Sequence, residues 1–293
     1  MKRVLLMVIC LATIFCLMAC SAGGEKEDPT VSVADAEVPG VTTFPLTSSQ
    51  GLEYEINSDI FTCTVTGIGD CPDAYVAIGE QIDGYRVTAI ADSAFYCNTQ
   101  VKGLSIGKYV TSIGEYAFFG CSNMETLELN GTLSEIGQYA FGSCGKLREL
   151  TIPETLRQVG AWAFYDCTSL NAVRITDLAS WCAISFGGAY ANPVQEAENL
   201  YLGEELLTSL VLPEGMTSIG DWAFTGCRSL EEVVFSNDLT QIGQRAFLDC
   251  RILTKFSYPG TVEEWKALQL GTNWDFRVEE YVIVCKDGEI KGK

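Results

Sequence analysis

The chain has 293 residues, 47% of them hydrophobic, which provides for one sizeable core or two small domains and excludes disorder of the whole. Charge is lopsided, with 19 Lys+Arg against 38 Asp+Glu. A surface that acidic repels phosphate backbones and anionic headgroups, so nucleic acid is not an expected partner. No histidine is present, which removes Ser-His-Asp and Cys-His catalysis and the commonest zinc and iron ligand sets.

In chain order, Lys2 and Arg3 precede an apolar run from Val4 to Met18 that is short for a membrane span. This is the pattern of a signal peptide, here 1–19. The run ends Leu17-Met18-Ala19-Cys20. A small residue directly before Cys at that place resembles the bacterial lipobox, although Met18 is an unusual occupant of its position. The resemblance implies cleavage before Cys20 and acylation of its thiol, so that the only membrane contact is the lipid on Cys20. An ordinary secretory peptide cut nearby is the alternative. Either cut removes Lys2 and Arg3 and no acid, taking the formal charge from −19 to −21. Residues 20–50 mix Gly, Pro, Ser, Thr and acids without apolar periodicity and read as a flexible tether.

Residues 51–89 alternate apolar and polar positions, as in Cys63-Thr64-Val65-Thr66 and Tyr75-Val76-Ala77-Ile78, between Gly and Asp turns. They predict a β-rich N-terminal cap. Cys63 and Cys71 could bridge within it or stay reduced; spacing alone does not decide.

The main signal is self-similarity over 90–258. Ile-Gly-x-x-Ala-Phe occurs at Ile113, Ile136, Ile219 and Ile242, with Val first at Val159 and a weaker copy from Ile90. Starts are 23 residues apart except across 159–219, which holds an insertion at about 177–212. Each unit continues with an apolar-x-x-apolar-x-apolar stretch, such as Leu147-x-x-Leu150-x-Ile152, whose period of two suits a short strand. The Ile-Gly-x-x-Ala-Phe half predicts a turn and a short helix-like segment. One unit cannot bury its apolar face alone, and stacking gives a continuous core with a long parallel sheet. Eight residues into each regular unit stands a Cys (Cys121, Cys144, Cys167, Cys227, Cys250). It predicts a buried ladder of reduced thiols acting as small apolar residues, with oxidation between rungs as the alternative.

Cys144 to Pro153 follows the unit pattern closely, and residues 90–258 resemble the BspA-like leucine-rich-repeat proteins. That resemblance implies an α/β repeat solenoid, a right-handed superhelix with short strands stacked in a parallel sheet. It also implies a bacterial surface protein acting in adhesion or host contact, and no catalytic residues. The Asn that many leucine-rich repeats carry after the strand is absent, so the inner turn must be satisfied in another way.

In the insertion, Asp177-Leu178-Ala179-Ser180-Trp181 predicts a short helix, and Leu200-Tyr201-Leu202 and Leu210-Val211-Leu212 predict strands. The insertion is either a binding loop or a spacer. In a C-terminal cap, 259–293, Thr261-Val262-Glu263-Glu264 resembles a capping box, and Tyr281 to Cys285 a last strand.

Two rows are candidate contact surfaces. Outward strand positions include Glu128, Glu149, Arg174 and Glu232, with Ala172 in the same row as Glu149 and Glu232. Two after the motif's Gly stand Tyr116, Tyr139, Trp162 and Trp222, which could meet protein or sugar. The alternative is that they cover core edges and pack on one another. No phosphate loop, Cys-x-x-Cys or EF-hand spacing occurs, and a carboxylate pair among 38 acids has no specificity. The expectation is therefore a monomeric, lipid-anchored surface scaffold, without cofactor or metal and not an enzyme, binding host or bacterial surface proteins. A glycan-binding module, or an envelope protein with no soluble ligand, is the alternative.

Overall fold

The computed structural model describes residues 47–292; the expected signal peptide, the Cys20 lipidation site and the tether up to residue 46 lie outside the described residues. Within the stretch expected as tether, Ser48 and Ser49 are held by the fold: the Ser48 hydroxyl donates to Gln81 O and accepts from Gly79 N–H, both at 3.0 Å.

Each repeat unit makes two short strands where one was expected. The anticipated strand is present at Thr126–Glu128, Glu149–Thr151 and Ala172–Ile175. A second, two residues long, opens each motif, at Ser112–Ile113, Glu135–Ile136 and Gln158–Val159. Both kinds pair in parallel with the next turn of chain: Leu104 lies opposite Leu127, and Ile113 opposite Ile136, which lies opposite Val159. The second residue of the short strand points inward and the first outward, the period-two pleat of a half-buried strand.

The segment between the strands differs from expectation. It forms no helix-like piece but a run of hydrogen-bonded turns. The fourth and eighth residues of the unit take positive φ, as in Tyr116 (55°) and Gly120 (72°), Tyr139 (54°) and Ser143 (58°), Trp162 (62°) and Asp166 (61°). Such residues stop a right-handed helix each time it begins. N–H groups that a helix would satisfy internally then reach the next turn of the solenoid. Tyr116 N–H donates to Gln138 O at 2.9 Å, Phe118 N–H to Ala140 O at 2.7 Å and Gly120 N–H to Gly142 O at 2.8 Å. The third side of the coil is thus also a ladder, while in the turn after the longer strand, where the usual Asn is absent, hydroxyls bond to the turn before, Thr132 to Val110 O at 3.3 Å and Thr155 to Leu133 O at 2.8 Å. The motif's glycine is required by close approach: a Cβ on Gly137 would stand 2.6 Å from Glu115 N.

The core follows this stacking. Phe95, Phe118, Phe141 and Phe164 lie in file with ring centroids 4.8, 5.3 and 5.6 Å apart, and Phe224 and Phe247 continue it at 5.5 Å. All six are 0–1% exposed, and full burial of each contributes about 1.5–3 kcal/mol. The five ladder thiols are buried and free. Four of them donate to the carbonyl of the preceding turn's Phe, from Cys121 to Phe95 O (3.2 Å), Cys144 to Phe118 O (3.3 Å), Cys167 to Phe141 O (3.3 Å) and Cys250 to Phe224 O (3.1 Å). Cys63 and Cys71 are buried free thiols as well.

Strands of both kinds begin before the first motif copy. Glu53–Asn57 runs antiparallel to Thr62–Gly67, which pairs in parallel with Tyr85–Ile90, and Tyr75–Ile78 pairs in parallel with Gly103–Ile106. The insertion holds the helix Leu178–Cys182, capped by Asp177, the helix Val194–Ala197, and the strand Leu200–Leu202 in register with Val173–Ile175. At the far end Thr261 and Glu264 complete a capping box on the helix Val262–Ala267. The strand Val282–Cys285 then turns back antiparallel into Gly288–Lys291, a hairpin the sequence had not suggested.

The insertion interrupts both ladders: the sheet of longer strands ends at Glu205–Leu206 and resumes as a new one at Ser209–Val211. The short-strand ladder from Thr62–Gly67 ends at Ser185–Phe186 and a new one starts at Ser218–Ile219. In regular turns the carbonyl of the motif's Ala accepts from the preceding turn's Phe N–H, as Ala140 and Ala163 do. At the join Ala223 O accepts instead from the Trp181 indole and the Asn192 side-chain amide, both at 2.9 Å. Asn192 also donates to Trp222 O at 2.9 Å. Two side chains thus replace a missing backbone donor.

Candidate functional site

Because the fourth residue of each unit sits in the same turn conformation, its side chain lands above that of the preceding unit. Tyr116 and Tyr139 stack with centroids 5.0 Å apart and planes 13° off parallel, Tyr139 and Trp162 at 6.0 Å and 7°. The insertion then supplies Tyr190, stacked on Trp162 at 5.3 Å and 14°. A second row, three residues further along the unit, borders the first. Tyr96 stacks on Phe119 at 5.5 Å, Phe119 meets Tyr139 edge-on at 6.0 Å, and Tyr165 meets Trp162 and Tyr190 edge-on at 5.4 Å each. Tyr96 (52%), Trp162 (41%) and Tyr165 (41%) are the exposed members.

Three of the four rings expected from sequence are therefore brought together, and Trp222 is not. It lies beyond the insertion, half-buried against the core, with the Arg245 guanidinium 4.9 Å from its ring centre. Sequence reading missed Tyr96, Phe119, Tyr165 and Tyr190. The first three each follow the motif's Phe directly, a signal hidden because Gly142, Thr225 and Leu248 take the same place elsewhere. Tyr190 lies in irregular chain and had no periodic signal.

The strand row is charged and largely self-paired. Arg174 bridges Glu149 (3.6 Å) and Glu204 (3.3 Å) and lies 4.5 Å over the Tyr201 ring. Glu232 bonds to Lys255 at 2.8 Å and accepts from the Ser257 hydroxyl at 3.1 Å. These contacts, Lys255 first, hold its carboxyl below the usual range. Burial pushes the Glu128 carboxyl up, against a smaller opposing pull from Ser105. Ala172, expected to face outward beside Glu149, is buried, because the extra turn of the insertion packs on its strand. Among the described residues no group of three His, Cys, Asp or Glu is placed to hold a metal ion. No described helix is long and apolar enough to cross a membrane.

A family model for the BspA type leucine rich repeat region matches six copies over residues 88–187 and 197–268. Among solved structures, the chain is similar to a leucine rich repeat protein of T. pallidum, at 26% identity and a TM-score of 0.49 over 71% of this chain and 90% of that one. A leucine-rich repeat protein from Bacteroides capillosus is 28% identical, with a TM-score of 0.40 over 43% of this chain and 95% of the other. A leucine rich cell surface protein from Faecalibacterium prausnitzii is 17% identical, with a TM-score of 0.33 over 78% and 99%. No curated protein matches.

Proposed function

The chain belongs to the BspA-type leucine-rich-repeat family, and from that premise we propose that it is a binding scaffold displayed at a bacterial cell surface, tethered through Cys20, with proteins as ligands and no reaction of its own. The observation that carries this reading is the contiguous aromatic surface running from Tyr96 to Tyr190. Side chains of this kind dominate the cores of protein interfaces because they desolvate a large area at little entropic cost. Surface placement is supported by the N-terminal signal pattern.

Ring geometry favours protein over glycan. A sugar stacks on an open aromatic face, whereas Tyr139 and Trp162 each have both faces turned to a neighbouring ring and Tyr116 and Tyr190 have one, leaving mostly edges along the row for a partner. The test is capture of extracellular host and bacterial proteins, alongside a glycan array, by the full chain and by a W162A/Y165A variant. Protein capture that is lost in the variant and retained in W222A supports the reading. Glycan binding lost in the same variant replaces it with the carbohydrate module, and silence on both arms replaces it with an envelope role.

A further inference from the structure

Along the turns that carry the aromatic rows, the short-strand ladder holds an open groove of about 480 Å³, lined across four successive turns by Asp92, Glu115, Glu135, Gln138, Gln158 and the motif glycines. Its floor is bare backbone, because Gly114, Gly137 and Gly160 have no room for a Cβ: each would stand 2.4–2.6 Å from the backbone of the turn before. Its wall is acidic. Three carboxylates line it and no Lys or Arg does. Asp92 Oδ1 accepts Glu115 N–H at 2.7 Å, which fixes one carboxylate against the wall. Glu115, Gln138 and Ala161 of the lining are each followed in sequence by a ring of the stack, Tyr116, Tyr139 and Trp162. The groove and the ring row thus run along neighbouring residues of the same turns.

Resting on the protein-binding reading above, we propose that this surface docks an extended, Lys/Arg-rich polypeptide segment. Charge complementarity selects the occupant. The groove has three acids and no cation, on a chain whose formal charge is −19, so acidic segments are repelled and basic ones are drawn in. Extension is selected by repetition. Three successive turns each supply one carboxylate, Asp92, Glu115 and Glu135, and the rings recur at the spacing of stacked turns, about 4.8 Å; an extended chain running along the ladder meets one turn after another, whereas a compact partner meets few of them.

The probe is a fluorescein-labelled peptide of alternating Lys/Arg and apolar residues, titrated against the full chain by anisotropy, with a Glu-rich peptide of the same apolar pattern as its counterpart. The basic peptide binds and the acidic one does not, and binding weakens as ionic strength rises. D92N/E115Q/E135Q, which keeps the Asp92 acceptor oxygen, weakens binding about tenfold, from three surface ion pairs of modest strength. A control, E214Q/E279Q/E280Q, removes the same charge at exposed positions elsewhere and leaves affinity unchanged. Equal losses in both variants would reduce the effect to bulk charge and overturn the proposal, as would no loss in the groove variant. Unchanged circular dichroism and a cooperative melting transition confirm that each variant is folded. Protein capture through Trp162 and Tyr165 with no response to the basic peptide would sink the groove while leaving the scaffold reading intact.

Discussion

The ladder cysteines show why a particular residue type recurs in this chain. Each position needs a small apolar side chain facing the file of Phe rings, and the S–H group adds a weak hydrogen bond to a carbonyl one turn back. Burial pushes Cys121, Cys167 and Cys227 up to about 12 from an ordinary value of 9.0, and Cys144 and Cys250 well above it. A folded pKa above the unfolded one means the neutral thiol stabilises the fold below about pH 9, and that contribution is lost as pH rises from there towards 12. Urea midpoints are therefore expected to be flat through neutrality and to fall above about pH 9, with a shallower fall in Cys121→Ala. Maleimide at neutral pH should label exposed Cys97 and spare the ladder until the chain is unfolded. Labelling of the ladder in native protein would contradict the burial described.

At the scale of elements, what the sequence made legible was what carries a period. The strand at Leu127, Leu150 and Val173 alternates, the Thr261 capping box has a side-chain signature, and both form where expected, as does the short helix after Asp177. The two-residue strand at Ile113 or Ile136 is too short to carry any alternation, so it had no sequence signature. The turns were misread for a different reason. Tyr and Trp are poor choices for positive φ, at a cost of about 1–2 kcal/mol each, and here the ladder to the next turn overrides that preference. The aromatic surface was half visible for the same cause: its first row follows the motif, whereas Tyr190 joins by tertiary placement alone. Two expectations belong to this scale. Thr261→Ala removes the hydroxyl that accepts from Glu264 N–H, leaving the reciprocal bond from its own backbone N–H to the Glu264 carboxylate, and should cost about 1 kcal/mol in chemical denaturation. Trp181→Phe removes one of the two donors on Ala223 O and should cost about 1–2 kcal/mol. Combining it with Asn192→Ala should cost more than the two single changes together, since only then is the carbonyl stranded. Simple additivity in a double-mutant cycle would show that the two side chains are not substitutes for one ladder bond.

For the molecule as a whole, the repeat confines every turn's contacts to its neighbours, so stability is a sum of local terms on which net charge acts everywhere at once. With 38 acids against 19 bases, the folded chain repels itself, and most of its exposed charge has the same sign. Added salt should raise the melting temperature before levelling off, as screening removes the repulsion. A melting temperature that falls with salt would mean that ion pairs such as Arg174–Glu149 outweigh it. The same locality explains why the scaffold was more readable than its ligand surface. Inward residues repeat because each must fit the next turn, whereas Glu115, Gln138 and Ala161 occupy one outward position with three chemistries.

The join at Ala223 also has a mechanical meaning. Tension applied along the stack is resisted in regular turns by rows of backbone bonds shared among three sides, but at this seam a row is missing and an indole and an amide stand in for it. The seam is therefore a weak place under load. Every ring from Tyr96 to Tyr190 lies on its N-terminal side, so a rupture at the seam leaves the ring-bearing turns joined to one another.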